Sequence, residues 1–535
     1  MALSADLTAR HRIRINGILN TTTITPAARR LRVLGHILDT ETENGTQFVL
    51  SDGTLYVFLG LTHEILNLSS PSRPSDRVMS YLNQLYGITQ VDPLGKFVYA
   101  SLRDHALAIA TKADLRRFAV YSPNTMTAYL SSYDGRMWRI DGGTPEIVHN
   151  GEDDIYFIDD DGGVPIEPDI GPHGILLDTL TSLSYTAGIG GITPEQQRMA
   201  FTAWIFALAF PDLQPTKPLL ILEGDAGSGK SAGLQLLQYA LLGMTKPMIL
   251  NRHKSDDFGV VLLRSPIALF DNTDSYIEWL ADEICAYATQ GSWAKRQLYT
   301  DSNEVKLKPH AFIAVASKNP ASFRREDVVD RLVIMRMERR KTFTKFAELK
   351  RRVLTQRAQL VGEYIWYVNE IVHYLRTTAG DETHDETTRM ADFAAFVRIV
   401  GDLLHWKSSD VDSLLTALEV ERTTFVNEAD SLCDLLLNWI GYKRTNPGRE
   451  MTLFELFAEL EIVAKTSGMQ FYKTTNQLGQ KLRSPHVAEE FIVQTGARAG
   501  RKTFKIWRKG DPQFSLVPPD DGEAPLSYPA TIDVE

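Results

Sequence analysis

The chain has 535 residues, of which 43% are hydrophobic and 23% charged, enough for three or four domains with substantial cores. Its formal net charge of −10 excludes a uniformly basic surface, so any nucleic-acid contact must come from local patches. Two distant cysteines, Cys285 and Cys433, exclude a disulfide framework and suit a reducing cytoplasm, and the longest apolar run, Ala200 to Phe210, is too short to span a bilayer.

The first residues, MALSADLTARHRIRI, lack an apolar signal core. Residues 1–115 read as an α+β region whose role the sequence does not give. Arg10, Arg12, Arg14, Arg29, Arg30 and Arg32 make its start basic. They suit an arm for nucleic acid or, more plainly, a solvated helix face. Thr46 to Gly60 predicts a hairpin turning at Ser51-Asp52-Gly53, and Pro74 to Tyr86 a helix. Residues 116–190 form a β-rich module, in which strands around Ala128-Tyr129-Leu130 and Met137-Trp138-Arg139-Ile140 flank a turn at Tyr133-Asp134-Gly135. A further strand signal is Ile155 to Ile158. The acidic runs Glu152-Asp153-Asp154 and Asp159-Asp160-Asp161 lack EF-hand spacing and read as exposed loops.

Residues 191–345 carry the most specific pattern. Thr193-Pro194-Glu195-Gln196 opens a helix with a capping box and proline at the first helical position; it runs to about Phe210. The apolar run Leu219 to Leu222 leads into Gly224-Asp225-Ala226-Gly227-Ser228-Gly229-Lys230-Ser231, which fits G-x-x-x-x-G-K-[ST], and a helix follows from Ala232. Glycines let consecutive N–H groups converge on one anion, and the helix N-terminus adds its positive end. In this pattern Lys230 reaches the β- and γ-phosphates of ATP and Ser231 ligates Mg²⁺. Three more strand signals follow: Ile267 to Phe270 ending at Asp271, Ala311 to Ala316 ending at Ser317-Lys318-Asn319, and Leu332 to Met337.

Hydrolysis also needs a metal-holding carboxylate, a group that orders the attacking water and a cation for the developing charge. Asp271 is placed for the first. Asn272 stands where many such ATPases have a glutamate, so Asp274 is the nearest acid for the second, directly or through Asn272. Asn319 suits the γ-phosphate or the water, or merely caps a turn. Arg325 and Arg331 suit a finger reaching a neighbouring subunit, or internal ion pairs such as Arg331 with Asp327. Between the Asp271 and Asn319 strands, Lys295, Arg296, Lys306 and Lys308 suggest a basic hairpin for the DNA backbone, or plain surface charge.

Residues 346–421 read as helical, with Arg351 to Leu375 the clearest helix. Residues 422–510 read as a small α+β module: helices Ser431 to Ile440, Leu453 to Lys465 and Asn476 to Leu482, then strands Phe491 to Val493 and Thr503 to Trp507 joined through Gly496 to Gly500. This order resembles a winged helix. Its basic residues, Arg501 and Lys502 among them, suggest phosphate contacts or a solvated face. The tail 511–535 is rich in proline and acid and reads as disordered.

The order WIFALAFPDL, PLLILEGDAGSGKS, ALFDNTD, ICAYATQGSWAKRQLYTDSNEV, AFIAVASKNP and FRREDVVDRLVIMRMERR resembles the ATPase core of phage and mobile-element replication proteins of the superfamily 3, AAA+ helicase type. That resemblance covers about residues 190–345. It implies an α/β P-loop core and a homo-hexameric ring moving on single-stranded or forked DNA, in the cytoplasm and beside other replication proteins. Over the matching motifs it implies ATP along residues 224–232, including Ala232, and Mg²⁺ at Ser231 and Asp271. It makes Asn319 the γ-phosphate sensor and Arg325 or Arg331 the finger in trans. The pair Asp271-Asn272 departs from the helicases' paired acids. Two other functions therefore stay open: a DNA-binding initiator or loader that uses ATP as an assembly switch, and a P-loop ATPase that works on protein partners in defence or signalling.

Overall fold

The computed structural model describes residues 5–72, 74–158, 163–250, 256–274, 277, 279–290, 293–296, 304–307, 310–378, 390–428, 431–442, 446–466, 471–472, 474–483, 487–488, 491–498 and 501–509. The chain divides into two compact units, residues 1–425 and 426–535.

The first unit opens with helices α1 (Ala5–Leu19) and α2 (Pro26–Glu43), strands β1 (Gln47–Ser51), β2 (Thr54–Leu59) and β3 (Glu64–Asn67), helices α3 (Asp76–Tyr86) and α4 (Pro93–Ile109), and the short β4 (Thr111–Lys112). The expected hairpin is β1–β2: Ser51 pairs with Thr54, leaving Asp52 and Gly53 as a two-residue turn at φ 47° and 69°. The basic start is helical. Arg12 donates to the Asn83 and Gln84 carbonyls (2.8 and 3.0 Å) and Arg29 to the Leu19 carbonyl (2.9 Å), so these two arginines tie helices together. Buried Glu41 accepts from the Tyr81 and Tyr86 hydroxyls (2.9 and 2.6 Å) in this sub-core.

After β5 (Leu115–Arg116), the strands β6 (Ala119–Ser122), β7 (Thr127–Ser131), β8 (Arg136–Ile140) and β9 (Glu146–His149) form an antiparallel meander, with the turn at 133–135 as expected. The second strand signal is β10 (Tyr156–Phe157), which pairs with β5 in parallel. Glu152, Asp153 and Asp154 lie in an exposed turn, whereas 159–161 fall outside the described residues.

Helix α5 (Leu176–Thr181) is capped from afar: the Glu363 carboxylate accepts from the N–H groups of Gly174, Ile175 and Leu176, each at 2.9 Å. In α6 (Pro194–Ala207) both bonds of the Thr193/Gln196 capping box are made. This helix is apolar all round because it lies inside the core, where Trp204 donates to the Pro218 carbonyl (2.9 Å).

The central sheet is parallel. Its strands are β11 (Leu219–Gly224), β12 (Ile267–Asp271), β15 (Phe312–Ser317) and β16 (Leu332–Met337), in the order β12-β15-β11-β16. They read as largely apolar runs, interrupted by buried Glu223 and Arg336, because both faces are covered. Helices α7 (Lys230–Leu242), α8 (Asp256–Arg264), α9 (Leu280–Gln290) and α10 (Glu326–Val329) join the strands, and a hairpin of β13 (Trp293–Arg296) and β14 (Glu304–Leu307) lies between α9 and β15 in the chain. Four helices follow: α11 (Phe346–Thr355), α12 (Arg357–Thr378), α13 (Ala391–Leu403) and α14 (Ser408–Glu428). The single helix expected over 351–375 is thus broken at Gln356. Arg357 turns inward there, donating to the Ala240 and Val164 carbonyls (3.2 and 2.7 Å), a tertiary demand that helical periodicity cannot show.

The second unit runs α15 (Ser431–Tyr442), β17 (Met451–Thr452), α16 (Leu453–Thr466), α17 (Thr475–Lys481), β18 (Phe491–Arg498) and β19 (Arg501–Arg508), with sheet order β17-β19-β18. Its two long strands exceed the expected ones. Gly496, Ala497 and Arg498 have low strand propensity, yet they pair with Thr503, Lys502 and Arg501 in the continued ladder.

Candidate functional site

The sheet order decides which loops meet. β15 lies between β11 and β12, so the C-terminal ends of three parallel strands bring Gly224, Asp271 and Ser317 to one edge. In an open parallel sheet this is the edge at which ligands bind.

The loop after β11 turns through Gly227 and Gly229 at φ 84° and 88°, a left-handed conformation that favours glycine. α7 starts at Lys230, so its first N–H groups have no acceptor within the helix and point toward the turn. The Lys230 ammonium folds back over the loop and donates to the Gly224 carbonyl (2.6 Å), the Asp225 carbonyl (3.0 Å) and Ser228 Oγ (3.3 Å). Burial lowers its pKa from the ordinary lysine value, although Asp274, Asp271 and Asp225 pull the other way. Asp225 and Ala226 are exposed at the loop tip, and Ala232 lies in the first turn of α7.

Ser231 Oγ donates to Asp271 Oδ1 at 2.8 Å, which joins the helix start to the end of β12. A hydroxyl and a carboxylate side by side are hard oxygen donors of the kind that hold Mg²⁺ when phosphates and water supply the remaining ligands. The glycine turn likewise suits a phosphate chain, so both residue sets fit the expected groups. Asn272 follows at φ 55°, a backbone that Asn tolerates better than Glu. Its N–H also donates to Asp271 Oδ1 (3.0 Å).

Asp274 Oδ1 accepts from Ser317 Oγ (2.7 Å), Lys318 N–H (2.6 Å) and Asn319 N–H (3.3 Å). Burial pushes its carboxyl up, but these bonds and the Lys230 charge outweigh it and hold the pKa below the usual carboxylate value. Asp274 therefore organises the turn that carries exposed Asn319. Asp274→Asn, which removes the charge from three hydrogen bonds, should lower ATP turnover about tenfold and leave ADP affinity within about twofold; steady-state kinetics and a binding titration check the split.

Arg325 is held within its own chain, by Asp327 Oδ1 (2.6 Å) and Asp282 Oδ1 (2.6 Å). Arg331 donates to the Asp327 carbonyl and approaches Cys285 Sγ (3.6 Å). Arg325 is thus the one paired with the Asp327 carboxylate. Lys295, Arg296 and Lys306 lie in the β13–β14 hairpin, Lys295 opposite Val305 and Arg296 opposite Glu304; Lys308 is outside the described residues. In the second unit, Arg501 pairs with Arg498 at the end of the long hairpin and Lys502 is exposed.

Three features escaped the sequence reading. Lys318 bridges to Asp225 (2.9 Å), from the turn after β15 to the glycine loop after β11. Glu223, just before the loop, is buried against Arg324 (3.0 Å) and Arg336 (2.5 Å). Beyond the loop, a cleft of about 420 Å³ is lined by Ala232, Gly233 and Leu236 of α7, by Ser182 and Leu183, and by Val353. The basic run Arg339-Arg340-Lys341, directly after a strand returning to this edge, was a signal that could have drawn attention to the rim.

Residues 189–405 match the model of the actinomycete integrative conjugative element replication protein family. The resemblance to mobile-element replication proteins is borne out over that segment, which contains the whole sheet edge. No curated protein matches the chain. Among solved structures, the apo C-terminal region of NrS-1 is similar at 12% identity over 88% of this chain and 98% of that one, with a TM-score of 0.40. SCCmec type IV Cch, described as an active helicase, is similar at 13% identity over 86% of this chain and 92% of that one, with a TM-score of 0.46.

Proposed function

We propose that this chain is an ATP- and Mg²⁺-dependent translocase that works as a DNA helicase in the replication of a mobile element. In this reading residues 191–345 are a P-loop core of the AAA+, superfamily 3 type, and residues 422–510 are a winged-helix-like module. The chain acts as a homo-hexamer in the cytoplasm with other replication proteins. No helix among the described residues is long and apolar enough to cross a membrane.

The observation that carries the reading is the Ser231–Asp271 contact (2.8 Å) beside a Lys230 ammonium already folded into a glycine cradle. On binding, Lys230 exchanges its three oxygen acceptors for phosphate oxygens, and the N–H groups at the start of α7 take the rest of the anion. Ser231 and Asp271 would hold Mg²⁺, which would supply positive charge to offset that of the phosphates. Asp274 fixes the turn that carries Asn319 toward the terminal phosphate or its water. Arg325, after release from Asp327 and Asp282, or Arg331, after release from the Asp327 carbonyl, would serve a neighbour's nucleotide.

ATP hydrolysis measured with and without single-stranded DNA tests the reading, and clear stimulation is expected. Substituting both Lys295 and Arg296 by alanine should remove that stimulation and spare basal turnover; an unchanged response would place the DNA site elsewhere. Slow turnover indifferent to DNA would favour the initiator or loader that uses ATP as a switch. That second reading draws its support from Asn272, whose left-handed φ leaves a poor place for a catalytic glutamate.

A further inference from the structure

The chain leaving β16 doubles back over the phosphate loop. The Arg340 N–H donates to the Gly227 carbonyl (3.2 Å). Its guanidinium lies on Gly229 so closely that a Cβ there would meet Nε at 2.9 Å and Cζ at 3.0 Å. The same side chain also lines the cleft of about 420 Å³ beside α7. Arg340 is therefore shared by the glycine loop and the cleft beside α7. Its Nε is buried and meets no acceptor among the described residues. An Nε–H buried without an acceptor is costly, because the hydrogen bond it makes to water in the unfolded chain is not replaced. Arg325, by contrast, is held by two carboxylates.

From this arrangement we infer that Arg340 is a nucleotide-contacting residue. Its guanidinium donates from the same chain to the diphosphate part of a nucleotide whose phosphates lie in the loop and whose nucleoside lies in the cleft. This rests on the reading of the loop as a nucleotide site. It adds a cation that the loop motif does not contain. Because the contact is to the part common to ADP and ATP, both should depend on it equally. Arg340 sits at the loop's flank on Gly229, whereas Lys230 and Ser231 serve the terminal phosphates and the metal.

The test titrates wild type, Arg340→Ala, Arg340→Lys and Lys230→Ala with a fluorescent ADP analogue and Mg²⁺, and repeats it with ATP in competition. Arg340→Ala should bind both nucleotides roughly 10- to 100-fold more weakly, the range of a charge-assisted hydrogen bond. Arg340→Lys should fall between, since it keeps the charge and loses the fork. Melting without nucleotide should stay near wild type. If wild type and Arg340→Ala bind alike while Lys230→Ala does not bind, the inference about Arg340 is overturned and the nucleotide reading stands. If folded wild type binds neither nucleotide, both are overturned. Should Arg340→Ala fail to fold, Arg340→Lys decides alone, with wild-type affinity counting against the inference.

Discussion

Lys230→Ala should abolish ATP hydrolysis, with a loss of at least 10²- to 10³-fold, roughly what removing one preorganised charge donor costs in other active sites. The ammonium already lies over the loop, within 3.3 Å of three of its oxygens. These acceptors hold it beside the turn, from which it exchanges them for phosphate oxygens when a nucleotide arrives. Burial already weakens the charged form, and a phosphate chain restores what desolvation takes away. The alanine variant should fold normally, since the lysine bonds only loop oxygens and leaves the apolar face of α7 untouched. The measurement is phosphate release at saturating ATP together with a thermal melt. A folded variant with normal turnover would remove the ATPase assignment, and with it the roles given to Ser231, Asp271 and Asn319.

What the sequence made legible was what has local causes. The glycine turn after β11, the Thr193 capping box, the 51–53 turn and the four largely apolar strands each follow from residues within a few positions of one another. Asp271, Asn319 and the loop could be assigned to one edge because strands ending in polar residues meet there once the sheet is parallel. The missed features depend on distant partners. Glu363 caps α5 from 187 residues away, Arg357 breaks a helix to reach Val164, and Arg340 returns to Gly229 across more than a hundred residues. Neither propensity nor periodicity contains such pairings. The role of Asp274 shows the middle case. The sequence singled out the acid and placed it near the water. In the structure its three hydrogen bonds go to the turn that holds Asn319 instead.

The largest effect on stability is expected from Arg336→Met. Arg336 lies on β16, buried, with Nη1 on Glu223 (2.5 Å) and Nε on Glu421 (2.6 Å), while its own N–H donates to Gln197 (2.6 Å). Arg324 completes the set by reaching Glu223 (3.0 Å), and its guanidinium stacks on Phe425 at 4.5 Å. Two acids share this one arginine, and Glu421 is wholly buried. Methionine fills the space but leaves the Glu421 carboxylate without its cation. Breaking a buried pair from one side costs about 3–5 kcal/mol, more than the pair contributes over an apolar replacement, because the surviving charge stays desolvated. The unfolding midpoint of the larger unit in urea should fall accordingly, with its slope unchanged. Adding Glu421→Leu to Arg336→Met should recover part of the loss, since the stranded charge is then gone. The site is joined to this network through β11, for Glu223 directly precedes Gly224. Arg336→Met should accordingly weaken ADP binding as well. A variant that loses stability yet binds ADP normally would make the network scaffolding alone. A midpoint equal to wild type would mean the carboxylates find water or other partners, and that β16 does not depend on the arginine at all.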